Sequence, residues 1–109
     1  MRLSPLDPMT PRIHAGIAFS HFLGGRYEEA RRWAVRSVHE QPDFVVGVRI
    51  LAASCALAGH VEQAGRIVAD LRAGNPKQRI ASIKEWAPFS QPDDLVRFEG
   101  ALRLAGLPD

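Results

Sequence analysis

His14 and His21 stand seven residues apart, a spacing that puts two imidazoles on one side of a helix and would supply half of a zinc site. No cysteine or carboxylate stands at a matching position to supply the other half, so they read as core or groove histidines. Cys55 is the only cysteine; it closes no intrachain disulfide and completes no metal-ligand pair, a usage that fits a reducing compartment. Its apolar surroundings read as those of an inert buried thiol, not of a nucleophile. Gly24-Gly25 lacks the following Lys-Ser/Thr of a phosphate-cradling loop and stands where a helix should close, not open. Arg31, Arg32 and Arg36 lie close together on one expected helix and could meet phosphates, as in a DNA-binding helix-turn-helix regulator. Glu28, Glu29 and Glu40 dilute that patch, and Glu28 is spaced to pair with Arg32 at i,i+4. A solvated face is the preferred reading, with nucleic-acid binding as the alternative. The residues assemble no catalytic, cofactor-binding or metal-ligating set, so function has to reside in a surface.

The elements that build this surface belong to one domain of 109 residues, 46% hydrophobic and 24% charged, a globular composition. Fourteen Lys+Arg against twelve Asp+Glu leave a net charge of +2, too small a surplus for a polyanion-binding charge density. The longest largely apolar run, Ile50 to Ala58, falls far short of the ~20 residues that span a bilayer. The first residues have no apolar segment of signal-peptide length. These features lead to the expectation of a cytoplasmic domain with no membrane association.

A shift of the sequence against itself by 34 residues brings its special residues into register. Pro8, Pro42 and Pro76 coincide, as do Gly25 with Gly59, Ala18 with Ala52, Ala30 with Ala64, Glu28 with Glu62 and Leu23 with Leu57. Within each period the punctuation is that of a helical hairpin. Thr10-Pro11 can start a helix that closes at Gly24-Gly25, and Tyr27 to Glu40 forms a second, stopped by Pro42. Asp43 can cap a third that closes at Gly59, and Val61 to Ala73 forms a fourth before Gly74-Asn75-Pro76. Gly16, Gly47 and Gly65, costly inside helices, are expected to mark close backbone contacts. Beyond Pro76 the pattern predicts a short helix over 77–88 and, from the start signal Ser90-Gln91-Pro92-Asp93-Asp94, a capping helix over 92–105 with the apolar stripe Leu95, Phe98, Leu102 and Ala105.

Gly25-Arg26-Tyr27-Glu28-Glu29-Ala30, with Ala18 before it and Pro42 after it, resembles the tetratricopeptide repeat. Ala52, Gly59, Ala64 and Pro76 form a second match, with Val61 where the family has an aromatic. His14 and Val48 occupy its bulky-aromatic slot, and His21 and Cys55 stand where tyrosine is frequent. The resemblance implies an all-α fold of antiparallel helical hairpins stacked as a right-handed superhelix. Residues 11–44 and 45–78 form two full repeats, 1–9 the end of a preceding repeat, and 79–109 a degenerate C-terminal capping unit. It further implies a concave groove lined by the first helix of each repeat, at Arg12, Ala15, Phe19 and Phe22 and at Val46, Arg49, Ala53 and Ala56. The family members that grip a carboxylate tail use lysine and asparagine at such positions, which this sequence lacks. An apolar trough with two arginines is expected instead, suited to an amphipathic helix or to another part of the same protein.

A narrower resemblance is carried by Leu3-Ser4-Pro5-Leu6-Asp7-Pro8, by the Gly25 to Ala30 segment and by Ala101-Leu102-Arg103-Leu104-Ala105-Gly106-Leu107-Pro108. It is to the C-terminal repeat region of bacterial class III adenylate/guanylate cyclases and of related proteins with an N-terminal winged-helix domain. It implies a regulatory or assembly module in which any cyclase activity belongs to an upstream domain, and a chain that is a fragment of something longer. The helix over 11–24 is apolar on more than one face, which leads to the expectation of a homodimer through this end or through the groove.

Overall fold

The computed structural model describes residues 10–75 and 92–109. These form five α-helices and, among the described residues, no strand: α1 (Thr10–Leu23), α2 (Tyr27–Glu40), α3 (Val45–Leu57), α4 (Val61–Gly74) and α5 (Pro92–Leu104). The segments 1–9 and 77–88, where a preceding repeat end and a short helix are expected, lie outside the described residues.

The two hairpins α1–α2 and α3–α4 close in the same way, and sequence explains why. At the first turn Gly24 N–H donates to Ser20 O, Gly25 N–H to Phe22 O and Arg26 N–H to His21 O; at the second, Ala58, Gly59 and His60 make the equivalent bonds to Ser54, Ala56 and Cys55. This pattern satisfies the last carbonyls of a helix and needs one residue at positive φ, which Gly25 (79°) and Gly59 (93°) supply at little steric cost. The backbone bonds therefore repeat at the 34-residue spacing of the sequence. The same closure recurs after α5, at Gly106.

Helix starts differ from expectation. The residues preceding α2, α3 and α4 are Arg26, Phe44 and His60, none with a side-chain cap. Asp43 does not cap α3, because the turn after α2 bonds Phe44 N–H to Gln41 O and leaves Phe44 as the hinge, with Asp43 exposed.

Small residues set the packing. Ala18, Ala30, Ala34, Ala52, Ala53 and Ala64 have no exposed surface, so neighbouring helices approach closely wherever they cross. Helix α3 touches α1, α2, α4 and α5 and is buried continuously from Gly47 to Ala56. Its sequence, apolar on every side, is that of a central helix. Close contact accounts for only one of the three helical glycines expected to mark it. A methyl at Gly16 would meet open space, and one at Gly65 only an ordinary contact with Ala105 O; Gly47 alone is crowded, by the Ser37 side chain. Buried Ser37 also donates its hydroxyl to Pro11 O (2.8 Å), fastening the end of α2 to the start of α1.

The C-terminal helix spans Pro92–Leu104. It docks on α3 and, through Phe98, on the aromatic rings of α1, instead of chiefly on its sequence neighbour α4. The reason lies in the available faces: α1 and α3 offer Phe19, Phe22 and a row of alanines, whereas α4 turns Glu62, Arg66 and Asp70 outward. Phe98, Ala101, Leu102 and Ala105 are buried, and Leu107 beyond the helix end completes the seal. Burial of a side chain such as Phe98 contributes roughly 1.5–3 kcal/mol.

Candidate functional site

The eight positions expected to line an open groove divide into two groups. Arg12, Ala15, Phe19 and Val46 share a cleft of about 230 Å³ between α1 and α3, together with Gly16, Phe44 and Ile50. Phe22, Arg49, Ala53 and Ala56 are buried, as is the Ala15 floor of the cleft. The expected trough with two arginines is thus a shorter cleft with one exposed arginine. Arg49 is enclosed with the rest of α3, and Phe22 lies beneath α5.

Each cleft residue is placed by a local feature. On α1, Arg12, Ala15, Gly16 and Phe19 recur at helical i, i+3, i+4, i+7 spacing, so they form one stripe. Val46 and Ile50 are four apart on α3 and face them. Phe44, the hinge before α3, seats its ring beneath the Arg12 guanidinium at 5.6 Å, a cation–π contact that holds the charge at the rim. The result is an apolar floor with a single cation at its edge, able to take an aliphatic or aromatic side chain carrying a carboxylate nearby. Phe44 and Ile50 were not among the positions read from sequence; Phe44 could have been found had the hinge been placed one residue later.

The deep end of the face is closed by Arg97 of α5. It donates to Leu23 O (2.9 Å), to the Tyr27 hydroxyl (3.1 Å) and to Asp94 (2.8 Å), and lies 5.5 Å from the Phe22 ring centre. No local signal announces this clamp, whose partners are 70 and 74 residues away.

The chemical candidates are each engaged elsewhere. His14 Nδ1 donates to Glu40, and its ring lies against Trp33, tying α1 to α2; His21 accepts from Arg26 (2.9 Å). The two histidines therefore serve separate contacts. Among the described residues no three His, Cys, Asp or Glu side chains gather as a metal site. Burial pushes the Cys55 thiol up to about 11. Arg31 pairs with Glu28 and Arg32 with Glu29, both at i,i+3 and not at the i,i+4 spacing expected for Glu28 and Arg32; Arg36 lies over the Trp33 ring at 4.6 Å. Glu28 is held near 2, first by its hydrogen bond from Arg31 and further by His60. The three arginines of the alternative nucleic-acid reading thus all have intramolecular partners.

A second depression, of about 490 Å³, lies where α2 and α4 flank α3. Val38, Val45, Val48, Leu51, Ile67 and Leu71 form it, with Asp43 and Asp70 at its edge. No spacing in the sequence announced it. No helix of the described residues is long and apolar enough to cross a membrane. No protein-family model, curated protein or solved structure matches the chain.

Proposed function

We propose that this chain is a tetratricopeptide-type repeat module that binds a protein or peptide helix, has no catalysis of its own, and regulates or assembles a larger bacterial signalling protein such as a nucleotide cyclase. The observation that carries the reading is the apolar cleft between α1 and α3 with Arg12 at its rim. The 34-residue recurrence of the hairpin-closing hydrogen bonds, together with the burial of Ala18 with Ala52 and of Ala30 with Ala64, supports the repeat assignment. The partner this cleft suits is an amphipathic helix that seats an apolar side chain on Phe19 and Val46 and presents a carboxylate to Arg12.

The test is NMR titration of the chain with a panel of amphipathic helical peptides, acidic and basic. Acidic members should shift the resonances of Arg12, Phe19 and Val46, and Arg12→Glu should abolish the response. Shifts confined to other residues, or equal binding by basic peptides, overturn the reading. Duplex DNA serves as the counter-probe: steeply salt-dependent binding through Arg31, Arg32 and Arg36 would establish the nucleic-acid alternative.

A further inference from the structure

The part of the α1–α3 face that is not open is covered by a helix of the same chain, and α5 sits there in the manner of a bound peptide. One side of it carries the anchors: Phe98 and Leu102, four residues apart, are wholly buried, and the Phe98 ring meets Phe19 and Phe22 edge-on at 6.1 and 5.3 Å. The other side is left to solvent, with Val96 64% and Leu104 52% exposed. Anchors at i and i+4 on one face and an open opposite face are the signature of a helix laid into a groove. Arg97 next to the anchor reaches polar groups at the groove's end, Leu23 O and the Tyr27 hydroxyl, as a peptide's flanking residue would. It packs on α3 and, through Phe98, on the rings of α1, and only slightly on α4, the helix before it.

We propose that the α1–α3 face is a helix-docking surface whose resting occupant is α5, and that its partner is an amphipathic helix carrying an aromatic residue and a leucine four positions apart, with a carboxylate beside them. The inference rests on the interaction-module reading and adds what regulates it. Because α5 belongs to the same chain, a helix that only copied its contacts would compete with an intramolecular rival and be disfavoured. A partner therefore has to make contacts that α5 lacks, because only differential affinity shifts such an equilibrium. The structure shows where they are: Phe19 both meets Phe98 and lines the open cleft. A helix that seats its aromatic on Phe19 and its carboxylate on Arg12 uses the anchor site and the vacant cleft together.

The test uses the full chain and, as probe, a fluorescently labelled peptide of residues 92–107. The unaltered chain should bind it only weakly, because its own α5 occupies the site. Phe98→Ala weakens the tethered copy and should raise affinity for the probe at least about 100-fold, the equilibrium equivalent of deleting a buried phenyl ring. An equal affinity in the two chains, with α1–α4 still helical by circular dichroism, would make α5 a fixed structural element and end the proposal. Native-state hydrogen exchange on the unaltered chain covers the case in which the variant fails to fold. The amides of α5 should exchange through an opening at least 100-fold more frequent than that exposing α3; equal protection of the two helices overturns the idea. The acidic-peptide titration fails independently, since it reports on the open cleft whether or not α5 leaves.

Discussion

Alanine at position 47 would place a methyl carbon 2.7 Å from Ser37 Oγ and 3.3 Å from the Phe44 ring. In an ordinary helix Gly→Ala gains about 1 kcal/mol, so the intrinsic effect favours the substitution. Here the hydroxyl cannot swing aside freely. It is buried and committed to Pro11 O, and rotating it away leaves that carbonyl without its donor, at a cost of about 1 kcal/mol on top of 1–3 kcal/mol for overpacking. Gly47→Ala should therefore destabilise the chain by about 1–3 kcal/mol. Ser37→Ala alone loses the hydrogen bond, again about 1 kcal/mol. Combined, the two should do less harm than their sum: with the hydroxyl gone, the nearest Ser37 atom is its Cβ at 3.6 Å, an ordinary contact, and the helical gain is offset largely by the remaining Phe44 contact at 3.3 Å. The double variant is expected to match Ser37→Ala to within about 0.5 kcal/mol, a coupling of about 1–3 kcal/mol. Urea unfolding of the four chains, followed by far-UV circular dichroism, measures the cycle. Simple additivity would show that Ser37 does not confine position 47 and that the packing of α2 on α3 has been misjudged.

The helix crossings give a second expectation: Ala64→Leu, at a site with no exposed surface, should cost about 1–3 kcal/mol, while Ala69→Leu on the exposed side of the same helix should stay within about 0.5, and equal melting temperatures would contradict the packing. Cys55, buried and held protonated up to about pH 11, should react with a thiol reagent at pH 8 only as fast as the chain opens, and urea should speed the reaction; full labelling within seconds in buffer would place the thiol at the surface. Because the folded pKa of Glu28 lies near 2, below its unfolded value of 4.5, its contribution to stability is present above pH 4.5 and is lost as pH falls toward 2. Glu28→Gln should flatten the stability profile in that window, and an unchanged profile would remove the Arg31 pair as its source. Ile13 is exposed on α1 and Ile17 half-buried, an apolar patch through which twofold self-association is expected; light scattering at micromolar concentration should report a dimer, and a monomer would count against it.

The hairpins were legible because their information is local. A glycine that must take positive φ, a proline that ends a helix and an alanine at a crossing each act within a few residues, so Gly25, Gly59, Ala30 and Ala64 could be assigned from spacing alone. Asp43 misled because capping depends on a single-residue offset in a turn whose geometry is fixed by Gln41 and Phe44. Gly16 misled in another way: a glycine tolerated in open space has the same sequence appearance as one required by contact. The docking of α5 was beyond reach of such rules. Its apolar stripe states that it must be buried but not against what, and the choice of α1 and α3 over α4 depends on Phe19, Phe22 and the α3 alanines being assembled first. Spacing likewise did not show that Phe22, Arg49, Ala53 and Ala56 are buried.

That dependence sets an order of events. The contacts that fasten the α1–α2 hairpin, such as Ser37 to Pro11, span 26 residues, whereas seating Arg97 on Leu23 and Tyr27 closes loops of 74 and 70 residues, which only preformed hairpins can reward. α5 is therefore expected to arrive last during folding, and a stopped-flow refolding trace should separate early helix formation from a later phase in which Tyr27 acquires its native environment.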